Sequence, residues 1–305
     1  MLRVLGKRVQ SARTMKRQQI VKVRPYHPES LGTLYLVATP IGNLEDITLR
    51  ALRVLSEVDL IACEDTRQSQ KLLNHYQIQT RTTSYHEHNE ITKAPELVLA
   101  MEEGSRVALV SDAGVPGISD PGYRLVQLCL RHRIPVEPVP GPSAAVAVLA
   151  ASGLPTQAFQ FFGFLPPKKN ARRKFLETLK NSLPTTIFFE APHRILATLE
   201  DIQKVWGDRS LVVAREVTKI HEEFLRGRCA EVLEELRKRP TVQGEITLLI
   251  GPPSEPQPEA VHALPLKERV NQLMGEEKLS RMEALKVAAR ERRISKSQAY
   301  REYES

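Results

Sequence analysis

The chain has 305 residues, 41% of them hydrophobic and 26% charged, with a formal net charge of +8. That length accommodates two ordinary domains, and no stretch approaches the roughly 18–20 uninterrupted apolar residues of a membrane-spanning helix. The charge is not spread evenly: residues 1–28 hold eight Lys or Arg and no acid, residues 267–305 hold ten basic and seven acidic side chains, and residues 29–266 carry a net −3. A charge argument for nucleic acid therefore applies to the ends and not to the body.

In chain order, residues 1–31 read as a basic, disordered tail. A weak overlap with organelle transit peptides and a true start at Met15 are the competing readings. An N-terminal α/β domain follows over 32–152. TLYLVA (33–38) is strand-like, then a helix carries Leu49, Leu52, Val54 and Leu55. DLIA (59–62) precedes a helix from about Arg67 to Tyr76. RVALV (106–110) precedes a glycine-rich loop and a helix from about Tyr123 to Arg131. IPVEPV (134–139) leads to Pro140-Gly141-Pro142 and an alanine-rich helix, 143–152. Short β-like runs alternating with helices predict a parallel sheet with crossovers.

A second, mixed α/β domain is expected over 153–252. Its strands are FQFFGF (159–164), TTIFFE (185–190), SLVVA (210–214), a segment near 220–226, and EITLLI (245–250). Its helices cover 168–182 and 193–205. Five prolines in 251–265 make 253–265 a semi-rigid linker. Residues 266–305 read as a helical appendage with Leu266, Val270, Leu273, Leu285, Val287 and Ala288 apolar, and with Ser295 or Ser297 as a helix cap. Cys63, Cys129 and Cys229 are odd in number, widely spaced and without a CxxC pair. That usage predicts a reducing, cytoplasmic location without disulfides or a zinc site.

Ligands of parallel α/β sheets gather at the carboxyl ends of the strands. Three loops there are rich in Gly, Pro and small residues: 39–44 (TPIGNL), 111–122 (SDAGVPGISDPG) and 140–144 (PGPSA). Glycine permits close backbone approach, and Asp112 and Asp120 can accept bonds from an ammonium or a ribose. Each loop alone is also explained as a tight turn; three together favour a small ligand held by backbone groups. No GxxxxGK[ST] and no GxGxxG is present, which argues against the two common nucleotide fingerprints.

Longer segments are more specific. GTLYLVATPIGNLEDITLRAL (32–52), IACEDTR (61–67), SYHEHN (84–89), VALVSDAGVPGISDPGY (107–123), PVPGPSA (138–144), FFGFLP (161–166), FFEAPHR (188–194), AREVTKIHEE (214–223) and GEITLLIGP (244–252) resemble the ribosomal RNA small subunit methyltransferase I group of the tetrapyrrole methylase superfamily. The resemblance runs from about Gly32 to Pro252. It departs at Val115, where the group commonly has Thr, so any role for that hydroxyl is missing here.

The resemblance implies a parallel-sheet N-terminal domain and a mixed-sheet C-terminal domain, with S-adenosylmethionine in the cleft between them, and a homodimer. It further implies methylation of a cytidine 2′-hydroxyl in 16S rRNA within the small ribosomal subunit. Cofactor contacts carried over are Pro40, Ile41, Asp112, Ala113, Gly114, Val115, Ser143 and Ala144, joined by Ala191 and Gly244.

A sulfonium methyl is already activated, so such an enzyme chiefly aligns the reacting atoms. The ribose hydroxyl must still lose a proton, and a nearby acceptor helps. Glu64, His86, Glu87 and Glu190 are the candidate catalytic residues, with Asp65 and His88 also near in sequence. His86 and His88 would face one side if they lay on a strand, but no third metal ligand is evident and methyl transfer needs no metal. Arg67, Lys168, Lys169, Arg172, Arg173, Arg194 and Lys219 are candidate RNA contacts. The plainer readings are internal salt bridges and a solvated helix face. The C-terminal helices resemble a helix-turn-helix appendage, for RNA docking or for dimer stability. Two rivals are a methylase acting on a tetrapyrrole and a non-catalytic nucleic-acid-binding protein.

Overall fold

The computed structural model describes residues 31–253, 265–276, 279–292 and 294–304. The basic tail and most of the proline-rich linker read from the sequence lie outside the described residues. The described residues divide into two compact units, one within 31–148 together with 216–222 and one within 149–215 together with 223–304.

The first unit is built on β1 (Leu34–Val37), α1 (Leu49–Glu57), β2 (Leu60–Cys63), α2 (Thr66–His75), β3 (Thr82–Ser84), α3 (Glu90–Glu102), β4 (Val107–Val110), α4 (Tyr123–Arg131) and β5 (Val136–Val139). Its five strands lie in the order β3-β2-β4-β1-β5 and all pair in parallel. Side chains of a strand alternate between faces, and the two cores divide along that alternation. Val37, Ile61, Cys63, Ala108 and Val110 pack with Ala51, Val54 and Leu55 of α1 and Leu72 and Leu73 of α2. Leu34, Ala62, Val107 and Leu109 pack with Leu97, Val98 and Met101 of α3 and Leu125 and Cys129 of α4. Crossovers that run one way along the sheet thus lie on one face, and those that return lie on the other, as right-handed connections require.

The helices start for local reasons. Thr48 accepts from Ala51 N at 3.1 Å and Asp65 from Arg67 N at 2.9 Å, capping α1 and α2. Leu49, expected on the apolar side of α1, is 85% exposed, and Ala51, Val54 and Leu55 form the buried stripe instead. α5 (Ala144–Ser152) follows β5 and runs across the boundary between the units.

The second unit contains β6 (Phe159–Phe164), α6 (Lys169–Thr178), β7 (Thr185–Glu190), α7 (Ile195–Trp206), β8 (Ser210–Arg215), β9 (Glu223–Arg228), α8 (Cys229–Arg237) and β10 (Ile246–Ile250). The sheet order is β6-β7-β10-β8-β9; β6 and β7 are parallel, and every other pairing is antiparallel. Phe188, Leu211, Val213, Ile246, Leu248 and Ile250 face Leu176 of α6, Leu199 and Ile202 of α7 and Leu233 of α8.

Helices α9 (Leu266–Glu276), α10 (Arg281–Glu291) and α11 (Lys296–Glu304) close a separate small core of Leu266, Val270, Leu273, Leu285, Ala288 and Ala299. Ser280 and Glu283 form a capping box at α10. Of the two expected cap residues, Ser295 takes the position before α11, accepting from Gln298 N at 3.3 Å. Among the described residues no helix is long and apolar enough to cross a membrane.

Candidate functional site

In the first unit, β1 and β4 are neighbours whose following helices leave to opposite faces of the sheet. That arrangement opens a crevice at their carboxyl ends. The chain closes the crevice floor with a backbone pair: Thr39 N donates to Gly114 O at 2.8 Å, and Gly114 N to Thr39 O at 3.0 Å. The Thr39 hydroxyl donates to Ser111 O at 3.1 Å. Gly114 sits at φ +82°, where a side chain is strained; a Cβ there would lie 3.5 Å from Ile41 Cγ2 and 3.8 Å from Pro142 O. A Cβ on Gly141 would lie 2.8 Å from that of Ala38. The three loops read from the sequence therefore converge. Pro40, Ile41 and Gly114 are buried, Asp112 and Ala113 are exposed, and Val115, Ser143 and Ala144 are half-buried.

The end of β2 joins this group through carboxylates. Asp65 N donates to Asp112 Oδ1 at 3.1 Å. Burial pushes Glu64 upward, the neighbouring Asp112 charge adds to this, and the Asp112 amide opposes it. Asp112 is raised by burial. Asp120 is raised to about 6, by burial first and then by the charge of Glu64, against a bond from the Ser111 hydroxyl. Glu87 and His86 act on Glu64 with opposite signs. Three acids thus meet with little compensating cation.

His86 and His88 do not lie on a strand. β3 ends at Ser84, and residues 86–89 form the turn into α3, with Asn89 N bonded to His86 O at 3.0 Å. The side-by-side placement expected from strand alternation gives way to turn geometry, which brings the two rings 5.9 Å apart, edge to face. His86 Nδ1 is buried without a hydrogen-bond partner. Among the described residues no group of three or more His, Cys, Asp or Glu is placed to hold a metal ion.

Residues 216–222, the connection from β8 to β9, belong to this unit, which the sequence reading did not foresee. Asn43 N donates to Thr218 Oγ1 at 3.1 Å. A Cβ on Gly42 would fall 2.5 Å from Lys219 Cγ and 3.0 Å from Val217 O. Glu216 and Thr218 both adopt left-handed φ, 51° and 68°. Strain at non-glycine residues persists only where the surroundings enforce it and concentrates at functional sites. Lys219 pairs with Glu216 at 2.9 Å. Arg67 is exposed and forms a two-pronged contact with Asp65.

The second unit places its candidates at one end of its sheet. Ile246 pairs with Glu190, so Gly244 (φ 89°) and Ala191 lie at the same edge. Glu190 is buried, and both its oxygens are engaged. Oε1 accepts from Ala191 N at 2.8 Å and faces Arg194 at 2.6 Å; Oε2 accepts from Thr198 at 2.6 Å. Arg194 also donates to Leu165 O at 2.8 Å.

The basic run divides. Lys168 and Lys169 are exposed at the start of α6. Arg172, read as an RNA contact, is instead buried at 3% exposure and donates twice to Asp201 Oδ2, at 2.8 and 2.6 Å. Arg173 bonds Asp201 Oδ1 at 2.6 Å. Helical periodicity explains the split, since position 172 falls on the face that carries Leu176.

A family model described as Tetrapyrrole (Corrin/Porphyrin) Methylases matches residues 33–233. A Ribosomal RNA small subunit methyltransferase I of Halalkalibacterium halodurans is 51% identical over 248 residues, 81% of this chain and 84% of the relative. The protein of that name in Thermotoga maritima is 50% identical over 72% of this chain and 99% of its own length. In Bacillus subtilis it is 43% identical over 90% and 94%. Among solved structures, the uroporphyrin III C-methyl transferase of Thermus thermophilus aligns at a TM-score of 0.51 and 22% identity, covering 76% of this chain and all of that one. A cobalt precorrin-4 methyltransferase of cobalamin biosynthesis aligns at 0.53 and 18%, covering 72% and 94%. These last two bear on the fold, while the sequence relatives and the matched model bear on descent: the chain belongs to the tetrapyrrole methylase family, in the ribosomal RNA small subunit methyltransferase I group.

Proposed function

We propose that this chain transfers a methyl group from S-adenosylmethionine to the 2′-hydroxyl of a cytidine in 16S ribosomal RNA of the small subunit. Methyltransferases of this family use S-adenosylmethionine, which supplies a methyl already activated on positively charged sulfur. The observation that carries the reading is the convergence of the three strand-end loops around Gly114, beside carboxylates pushed upward by burial first and then by one another's charge. A ligand with a sulfonium and an ammonium suits that environment.

Pro40, Ile41, Asp112, Ala113, Gly114, Val115, Ser143 and Ala144 are assigned to cofactor binding, and Ala191 and Gly244 on the resemblance alone. Backbone groups at Thr39–Gly42 and Asp112–Val115 approach the ligand, and Glu64, Asp112 and Asp120 supply negative charge. The attacking hydroxyl must shed its proton. His86 is the assigned acceptor, because its Nδ1 has no hydrogen-bond partner and the Glu64 carboxylate lies within electrostatic reach of it. Glu190 positions Ala191 and Arg194 rather than accepting a proton, since its oxygens are already occupied. A cytoplasmic homodimer is the expected form.

The test is transfer of tritiated methyl to small ribosomal subunits lacking the modification, followed by nucleoside analysis. Labelled 2′-O-methylcytidine is the expected product; label on a base, or none on RNA, overturns the reading. His86→Gln should slow single-turnover transfer at least tenfold while leaving cofactor affinity unchanged.

A further inference from the structure

All eight phenylalanines of the chain lie between positions 159 and 224, and four of them lie in β6. β6 is an edge strand, where exposed apolar side chains invite unwanted association. In a regular strand, positions 161 and 164 point to opposite faces. Here the register against β7 slips by one residue: Phe161 pairs with Ile187 and Phe164 with Phe189. Gly163, at φ 64°, takes up the extra residue. The bulge turns Phe164 onto the face of Phe161, and the two rings meet Phe189 edge-on at 5.8 and 4.9 Å. Phe162 goes to the other face, against Phe175 and Phe188. Bulges at sheet edges serve to re-aim a side chain. What this one aims is a ring propped from beneath and still 59% exposed.

We propose that Phe164 is a stacking platform for an unstacked base of the substrate RNA, with Lys168 and Lys169 holding the adjoining phosphates. The proposal rests on RNA being the substrate. Charge selects the occupant. Lys168 and Lys169 follow Phe164 within about 14 and about 18 Å of extended chain, are exposed, and have no acid in the first turn of α6. Asp201, the acid that the basic run does engage, is taken by Arg172 and Arg173. An aromatic face beside unneutralised lysines matches a single strand, whose bases stack and whose phosphates need cations.

The probe is a short single-stranded RNA oligonucleotide carrying 2-aminopurine, titrated with the full chain. Phe164→Leu should weaken binding about 5- to 150-fold, the range of one base–aromatic stack, and abolish the quenching of the probe. Phe164→Trp should retain both. Lys168→Gln with Lys169→Gln should reduce the salt dependence of binding while leaving the quenching at saturation. S-adenosylmethionine affinity, measured on Phe164→Leu, should match the parent and so exclude misfolding. Unchanged RNA affinity and quenching in Phe164→Leu overturn the proposal. So does a shift in sedimentation with RNA affinity intact, which would assign the ring to a second copy of the chain. If the parent methylates RNA and Phe164→Leu does so equally at limiting RNA, only this proposal fails. If the parent transfers no methyl to RNA, the functional reading fails, and the quenching still reports on Phe164.

Discussion

Two carboxylates, one in each unit, are driven in opposite directions. Asp120 of the first unit is raised to about 6 by burial among other acids. Glu223 of the second is lowered to about 2, chiefly by bonds from Arg239 and then, against some burial, from Arg215. The second unit neutralises its acids internally, as Asp201 and Glu190 also illustrate. The first leaves Glu64, Asp112 and Asp120 short of cations at the end of its parallel sheet. A structure that satisfies its own charges is finished; one that does not is prepared for a charged visitor. The contrast marks the first unit's strand ends as the candidate site without reference to any motif.

The largest expected effect breaks the satisfied side. Asp201→Ala leaves Arg172 buried without its partner and should cost about 3–5 kcal/mol, measured as a fall in the denaturant midpoint. Next, Gly42→Ala sets a Cβ against Lys219 Cγ and Val217 O. Displacing residues 216–222 should lower S-adenosylmethionine affinity at least tenfold, or about 1.4 kcal/mol, by calorimetry. Third, a positive ligand binds best once the acids are ionised. Its affinity should climb from pH 5 to pH 7 and then level, and Asp120→Asn should flatten the climb. A flat profile in the parent would remove the acids from the site.

The smallest effect is on stability. The folded state holds the Asp120 proton more tightly than the unfolded chain. Asp120 therefore costs stability as pH rises between its ordinary value, near 4, and about 6. Glu223 behaves oppositely: its contribution is present above about 4.5 and fades as pH falls toward 2. Asp120→Asn should raise the melting temperature at pH 8 and leave it unchanged at pH 3, where Asp120 is protonated in both states. Glu223→Gln should lower it at pH 8 with little effect near pH 2.

Much of the fold was legible because the parallel strands are short apolar runs ending in turns; Phe159–Phe164 and Thr185–Glu190 were read to the residue, and the helix Tyr123–Arg131 was placed approximately. The helix Glu90–Glu102 was not, since Pro95 lies inside it and reads as a breaker. The helix Cys229–Arg237 hides its start: Ala230 N is capped by Asp208, which stands 22 residues earlier. The convergence of the loops could be guessed from composition. The placement of 216–222 against Gly42, the burial of Arg172 and the bulge at Gly163 could not, because each depends on a partner distant in sequence or on a register that no local pattern encodes.

The bond from Asn43 to Thr218 joins positions 175 residues apart. During synthesis at about 5–20 residues per second, Gly42 and Asn43 leave the ribosome roughly 9–35 s before the segment that covers them. The nascent first unit can fold its sheet in that interval, but its first loop stays uncovered until β8 has been made. With the cofactor bound at this loop, as proposed, competence is acquired late, and a chain released early would carry a folded unit with its first loop open.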